Sequence, residues 1–166
     1  MKALLGVLLC VPIVFWGGCR IVKTIQFDQA CGGYLKRAAD ANTVELGMRE
    51  LKVALDYAEA NRLTSGYTSI LWNTPDEDVG FWYRNLKASA EELAVVSPET
   101  SQLERTNVLM KLRETLLDNG EKGTRITVPD GISVYPHNAT FALFGSLSLL
   151  CLIVGIVLIV TWLDEY

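Results

Sequence analysis

Histidine occurs once in this chain, at His137, and cysteine four times. A zinc centre has too few ligands to draw on, because Cys10 and Cys151 fall in apolar segments and Cys19 and Cys31 on one helical stretch. On a continuous helix that last pair stands about 18 Å apart, which excludes a disulfide between them. Basic clusters are missing too: 15 Lys and Arg stand against 19 Asp and Glu, a net charge of -4, with both signs scattered. A nucleic-acid footprint needs clustered cations to displace phosphate counterions, so no nucleic-acid partner is expected.

Catalytic patterns are equally sparse. There is no Ser–His–Asp order, no HExxH, no paired carboxylates with a His partner, and no nucleotide motif. The run Gly120-Glu121-Lys122-Gly123-Thr124 misses the GxxxxGK[ST] spacing of a phosphate loop. The acidic run Asp76-Glu77-Asp78 lacks the turn glycine and the later bidentate Glu of an EF-hand, and reads as a charged helix start. We therefore expect no enzyme: no catalytic residues, no metal site and no cofactor.

What the chain does have is a pair of long apolar runs. Ala139 to Leu163 contains no charged residue. At about 1.5 Å per residue it clears a hydrocarbon core of roughly 30 Å, so it reads as a transmembrane helix. Only Asp164, Glu165 and Tyr166 follow, so any output is expected to pass sideways through lipid or neighbouring helices. Near the start, Lys2 precedes the uncharged run Ala3 to Cys19, which Ile21, Val22 and Ile25 extend beyond Arg20 and Lys23. Its length, with Phe15 and Trp16 placed as interfacial aromatics, favours a retained signal anchor over 1–25 rather than a cleaved signal. A lipoprotein reading of Gly17-Gly18-Cys19 meets Trp16 where a lipobox usually has Leu.

Between the runs, 26–120 reads as a helical bundle. Phe27, Cys31, Tyr34, Ala38 and Ala41, then Met48, Leu51, Leu55 and Ala58, recur at spacings of three and four. Asp40-Ala41-Asn42-Thr43 interrupts the helix formers, and Asn42 with Glu45 has capping-box character. This stretch reads as one long helix or as two joined by a tight turn, and helix parity between the two membrane runs favours the split near Asp40. Thr74 as N-cap with Pro75 at the first position opens the next helix, which buries Val79, Trp82, Leu86, Ala90 and Leu93. Ser97-Pro98 opens a last one, with Leu103, Leu109, Leu112 and Leu116 inside and Asn119-Gly120 as its stop. Over 121–138, Arg125–Val128 and Ile132–Tyr135 flank Pro129-Asp130-Gly131, which predicts a small β-hairpin or strap.

The expected fold is thus mainly α: two transmembrane helices, 1–25 and 139–163, flanking an antiparallel bundle of four helices with a small juxtamembrane hairpin, and a short tail at 164–166. This order is similar in outline to the sensory half of bacterial chemoreceptors, a likeness of architecture that no shared motif carries. Helix parity sets the apolar loop residues Tyr67, Ile70, Leu71 and Trp72 at the membrane-proximal end, as a membrane-interface or partner loop. Small residues at Ala142, Ser146, Cys151 and Gly155 offer close helix packing in the membrane. Trp82 and Tyr83, with Tyr67, are the expected ligand contacts if the bundle binds a small molecule. Lys2 and the terminal amine set against Arg20 and Lys23 give a weak charge bias, read as both termini cytoplasmic. The expectation is an integral protein of a bacterial inner membrane with the bundle outside. Its partners are the lipid bilayer and a protein partner or a second copy, and it acts as an interaction or accessory subunit. The alternative is a ligand-binding sensory bundle.

Overall fold

The two apolar runs form the two longest helices of a computed structural model that describes residues 1–120 and 123–165. Helix α1 spans Lys2–Phe27 and helix α6, the last, spans Asn138–Asp164. Both are long and apolar enough to cross a membrane. The chain divides into two compact units, Met1–Ile25 together with the chain from His137, and Gln26–Pro136.

In the second unit, α1 gives way without a break to a π turn, Asp28–Gly32, and then to α2, Gly33–Ala39. A π turn adds a residue to the turn and so rotates everything after it. Leu35 therefore takes the inward position that regular spacing from Phe27 assigns to Tyr34. Leu35 is fully buried, whereas Tyr34 packs at the edge of the core. Chain direction reverses at Asp40, and α3, Val44–Ala60, follows. The expected split is there, but its cap is Thr43, whose hydroxyl accepts from the Leu46 amide at 3.2 Å, and not Asn42. Thr43 is the residue with extended backbone next to the first helical turn, which is what an N-cap requires.

Two further helix starts move by a few residues for the same reason. Pro75–Glu77 makes only a single 3-10 turn, with Thr74 hydrogen-bonded to the Glu77 carboxylate. Helix α4, Val79–Ala94, starts after Asp78, whose carboxylate accepts from the Phe81 amide at 2.9 Å. Ser97-Pro98 lies in a turn, and α5, Gln102–Leu116, is capped by Ser101 on the Glu104 amide at 3.2 Å. Arg105 fastens that connection by donating to the carbonyls of Thr100, at 3.0 Å, and Ser97, at 3.1 Å.

The expected hairpin is displaced. Strands β1, Leu117–Gly120, and β2, Gly123–Ile126, pair antiparallel with Leu117 opposite Ile126 and Asp118 opposite Arg125. Asn119-Gly120 therefore lies in a strand rather than ending a helix, and 121–122 fall outside the described residues. Pro129 has no amide to give a ladder, and Gly131, at φ 74°, turns the chain into a 3-10 turn, Ile132–Val134. Ile132 and Val134 are buried instead of forming a strand.

The core of this unit is built on Leu35, Leu51, Ala54, Val79, Leu86 and Leu116, all nearly or fully buried. Burying a leucine side chain contributes about 1.5–3 kcal/mol. The stripe of α4 is inside as expected, with Val79, Trp82, Leu86 and Leu93 buried and Ala90 packed at the edge. On α5, Leu112 and Leu116 are buried, while Leu103 is exposed. Gln102, Arg105, Thr106 and Leu109 of its first turns line an open groove of about 420 Å³ beside Asn42–Glu45.

Glu50 is a charged residue inside the unit. It is buried, and its carboxylate pairs with Arg37 at 3.0 Å and Arg49 at 3.0 Å. Two cations over one buried carboxylate offset its lost hydration. Lys36 and Asp40, four residues apart, form a surface pair at 2.8 Å. Leu51→Ala should lower the unfolding free energy of this unit by about 2–5 kcal/mol, because the side chain is fully enclosed and the cavity cannot close. Urea denaturation followed by circular dichroism measures it, and a change below about 1 kcal/mol would contradict the packing described.

Candidate functional site

Helix α3 ends in a turn in which Arg62 takes φ 59°, and the amide of the buried Leu63 bonds the Ala58 carbonyl at 2.7 Å. The segment after it is fastened at its root and free at its tip. The Val79 amide reaches Gly66 O at 2.9 Å, the Thr68 amide reaches Glu77 O at 3.0 Å, and Tyr67 bridges Asp78. The Tyr135 hydroxyl donates to Ser65 O at 2.6 Å. Gly66 makes this approach possible: its φ is +92°, and a Cβ there would lie 2.3 Å from Tyr135 Oη. Beyond the root, Leu71 is 77% and Trp72 74% exposed, with Ile70 exposed and Tyr67 less so. No bulky apolar side chain is left uncovered without consequence when several adjoin.

The end of the unit at which this loop sits follows from contacts inside it. Phe27, where the chain arrives from α1, meets the Tyr57 ring edge-on at 6.0 Å, one turn before α3 ends. Tyr135, next to the point where the chain leaves for α6, meets Ser65 at the loop root. The entry, the exit and the exposed loop thus share one end of the Gln26–Pro136 unit.

Trp82 and Tyr83 do not act together. Neighbours on a helix point about 100° apart. The Trp82 indole donates to Thr127 O at 3.0 Å, tying α4 to the chain after β2, and its ring lines an open groove of about 380 Å³ with Phe81, Asp118, Arg125 and Asp130. Tyr83 turns toward α3 and donates to the Glu59 carboxylate at 2.6 Å. That hydrogen bond, with lesser help from burial, holds its phenol above the usual tyrosine range. Tyr67 belongs to neither arrangement. Among the described residues, no three His, Cys, Asp or Glu side chains are grouped to hold a metal ion.

In the unit formed by Met1–Ile25 and the chain from His137, α1 and α6 pack antiparallel. A Cβ on Gly155 would lie 2.7 Å from Gly6 O and 3.2 Å from Cys10 Sγ, and one on Gly145 would lie 2.8 Å from the Trp16 ring. The Trp16 indole donates to Phe141 O at 2.8 Å, and Lys2 pairs with Glu165 at the far end. Of the small residues expected at a packing face, Gly155 is buried in this pair, and Ala142 and Cys151 are half-buried. Ser146 is exposed, its hydroxyl bonded back to Ala142 O at 3.0 Å. Gly6, Gly145 and Ser148, which the residue spacing alone did not single out, complete the buried stripe. The signal for Gly145 and Ser148 is the alternation of three and four from Phe141 through Gly145, Ser148, Leu152 and Gly155, legible once α1 is known to be the neighbour.

Searches of protein-family models, of curated proteins and of solved structures find no match to this chain. Gly155→Val should weaken the α1–α6 pair by about 1–3 kcal/mol, since the obstruction is backbone and cannot step aside. Ser146→Val, on the exposed face, should leave it unchanged. Unfolding of the full chain by sodium dodecyl sulfate in mixed micelles compares the two, and equal effects would refute the packing.

Proposed function

We propose that this protein is a non-enzymatic integral membrane subunit that works by interaction: α1 and α6 anchor it, and α2 to α5 form an antiparallel four-helix bundle that rests one end on the bilayer. The observation that carries the reading is the exposed apolar loop, Tyr67 with Ile70 to Trp72, at the end of the unit where both chain connections emerge. An aromatic pair flanking Ile and Leu at that end suits the headgroup region, where amphipathic rings find both apolar contact and water. The bundle lies on the outer side of a bacterial inner membrane in this reading, with both termini cytoplasmic. It serves as an accessory or scaffold subunit for a protein partner or a second copy.

The groove beside Trp82 supports a second reading, a ligand-binding sensory bundle that passes its signal to a separate protein. The two readings part on composition: an accessory subunit is isolated with its partner, whereas a sensor is isolated as a particle whose stability rises with a small molecule. Purification of the full chain in mild detergent should give a native mass above that of the monomer. A bare monomer with nothing co-purifying would remove the interaction reading.

Depth tests the loop itself. In vesicles of brominated phospholipid, the emission lost on Trp72→Phe should be quenched by lipid-borne bromine and protected from aqueous iodide. Quenching by iodide with no effect of the brominated lipid would detach the loop from the bilayer and make it a surface for a soluble partner.

A further inference from the structure

The helix pair has an apolar cleft of its own. Phe15, Trp16 and Cys19 on α1 and Thr140, Phe141 and Phe144 on α6 line an open cleft of about 250 Å³, and the wall they present is apolar throughout. Its shape is set by Trp16, whose ring is pressed over Gly145 and whose indole N–H is already engaged with Phe141 O. The usual range for ligand pockets is about 300–1,000 Å³, so this slot is too small for a bulky ring system and suits a single narrow chain. An apolar wall gives a polar ligand nothing to bond.

Charge identifies which chain. The Arg20 guanidinium lies 5.3 Å from the Trp16 ring centroid, held by the ring's negative face at the mouth of the cleft. Lys23 follows on the same helix, and both side chains are exposed. Among the described residues neither has a carboxylate within ion-pair distance. Cations beside an apolar slot at the end of a membrane-length helix match an amphiphile with an anionic head.

We propose that this cleft is a lipid site that takes one acyl chain of an anionic phospholipid, with Arg20 on its headgroup. The inference rests on the reading of α1 and α6 as membrane-spanning. Aromatic residues fix the chain against the helix pair, and the guanidinium selects the head, so the site distinguishes an anionic lipid from a zwitterionic one of the same tail.

The test uses the full chain in nanodiscs of equal phosphatidylglycerol and phosphatidylcholine, with the lipids retained on release counted by native mass spectrometry. One phosphatidylglycerol should remain, favoured over phosphatidylcholine about five-fold, the effect of roughly one well-placed cation. Arg20→Gln should bring that ratio toward one, and Thr140→Trp, which fills the cleft, should remove retention of either lipid. Thr140→Leu serves the same purpose if the larger variant does not accumulate. Equal retention of both lipids by the unaltered chain, or a preference that survives Arg20→Gln, would overturn the site. Alkaline carbonate extraction separates this from the underlying reading: a chain that leaves the membrane sinks the membrane assignment, whereas one that resists extraction yet keeps no lipid sinks only the site.

Discussion

Apolar surface that the protein does not cover is the constraint behind this structure. In the most apolar stretch of α6 only 17% of the residues are buried within the protein, and in that of the first helix 6%. A core helix of a soluble domain buries its apolar stripe against neighbours, and one apolar all round must be enclosed on every side or meet lipid. Here packing covers a single seam, Gly6 and Trp16 against Gly145 and Gly155, and leaves Leu143, Leu147, Ile153 and Val157 outward. At roughly 25 cal/mol per Å² of apolar area, water is a costly surrounding for such a surface. A bilayer is the simplest solvent for it, and the proposed membrane anchoring rests on that choice.

The second unit is shaped by having to take in and give back the chain at the same end. Two devices achieve it. The break at Asp40, capped by Thr43, reverses direction, so α3 comes back beside the π turn and Phe27 meets Tyr57. After α5, the short β1–β2 ladder and the buried Ile132 and Val134 lead the chain across the unit to Tyr135, where Ser65 receives it. Gly32 permits that crossing: a Cβ there would lie 2.9 Å from Ile126 Cδ1. Sequence, backbone conformation and the location of the exposed loop are linked through these contacts.

Features set by long periodicity were legible in the sequence, and features set by a single residue were not. Uncharged runs, the stripe from Val79 to Leu93 and the reversal near Asp40 each rest on many side chains that agree. The π turn rests on none of them: it shifts the inward face from Tyr34 to Leu35 without a change in composition. Caps fell a few residues from their expected positions because Asn42, Thr74 and Ser97 are as competent chemically as Thr43, Asp78 and Ser101. Backbone geometry chooses among them. Glu50 was legible only as a charge, since its burial depends on Arg37 arriving from another helix. At the candidate sites, the exposure of Leu71 and Trp72 could be anticipated from an apolar loop and the divergence of Trp82 from Tyr83 from their adjacent helix positions, whereas their partners, Thr127 and Glu59, could not.

Close packing limits how an interaction subunit would use its surfaces. Small residues in a membrane helix promote association because backbones approach closely, but each such face can be used once. Gly155 and Gly145 are occupied by α1, and the Ser146 hydroxyl has given its one proton to Ala142 O. A partner helix would then meet α6 chiefly through branched and aromatic side chains, which fit lipid as well as protein and confer little selectivity. Selective contact is better supplied where apolar groups stand among fixed polar ones. The second unit offers this at Leu103 and Met110 on α5 and at Val95, all exposed beside charged neighbours such as Glu104 and Lys111. If the protein recruits a partner, the physical chemistry favours these side chains of the second unit, and not the outward face of α6, as the place where the choice is made.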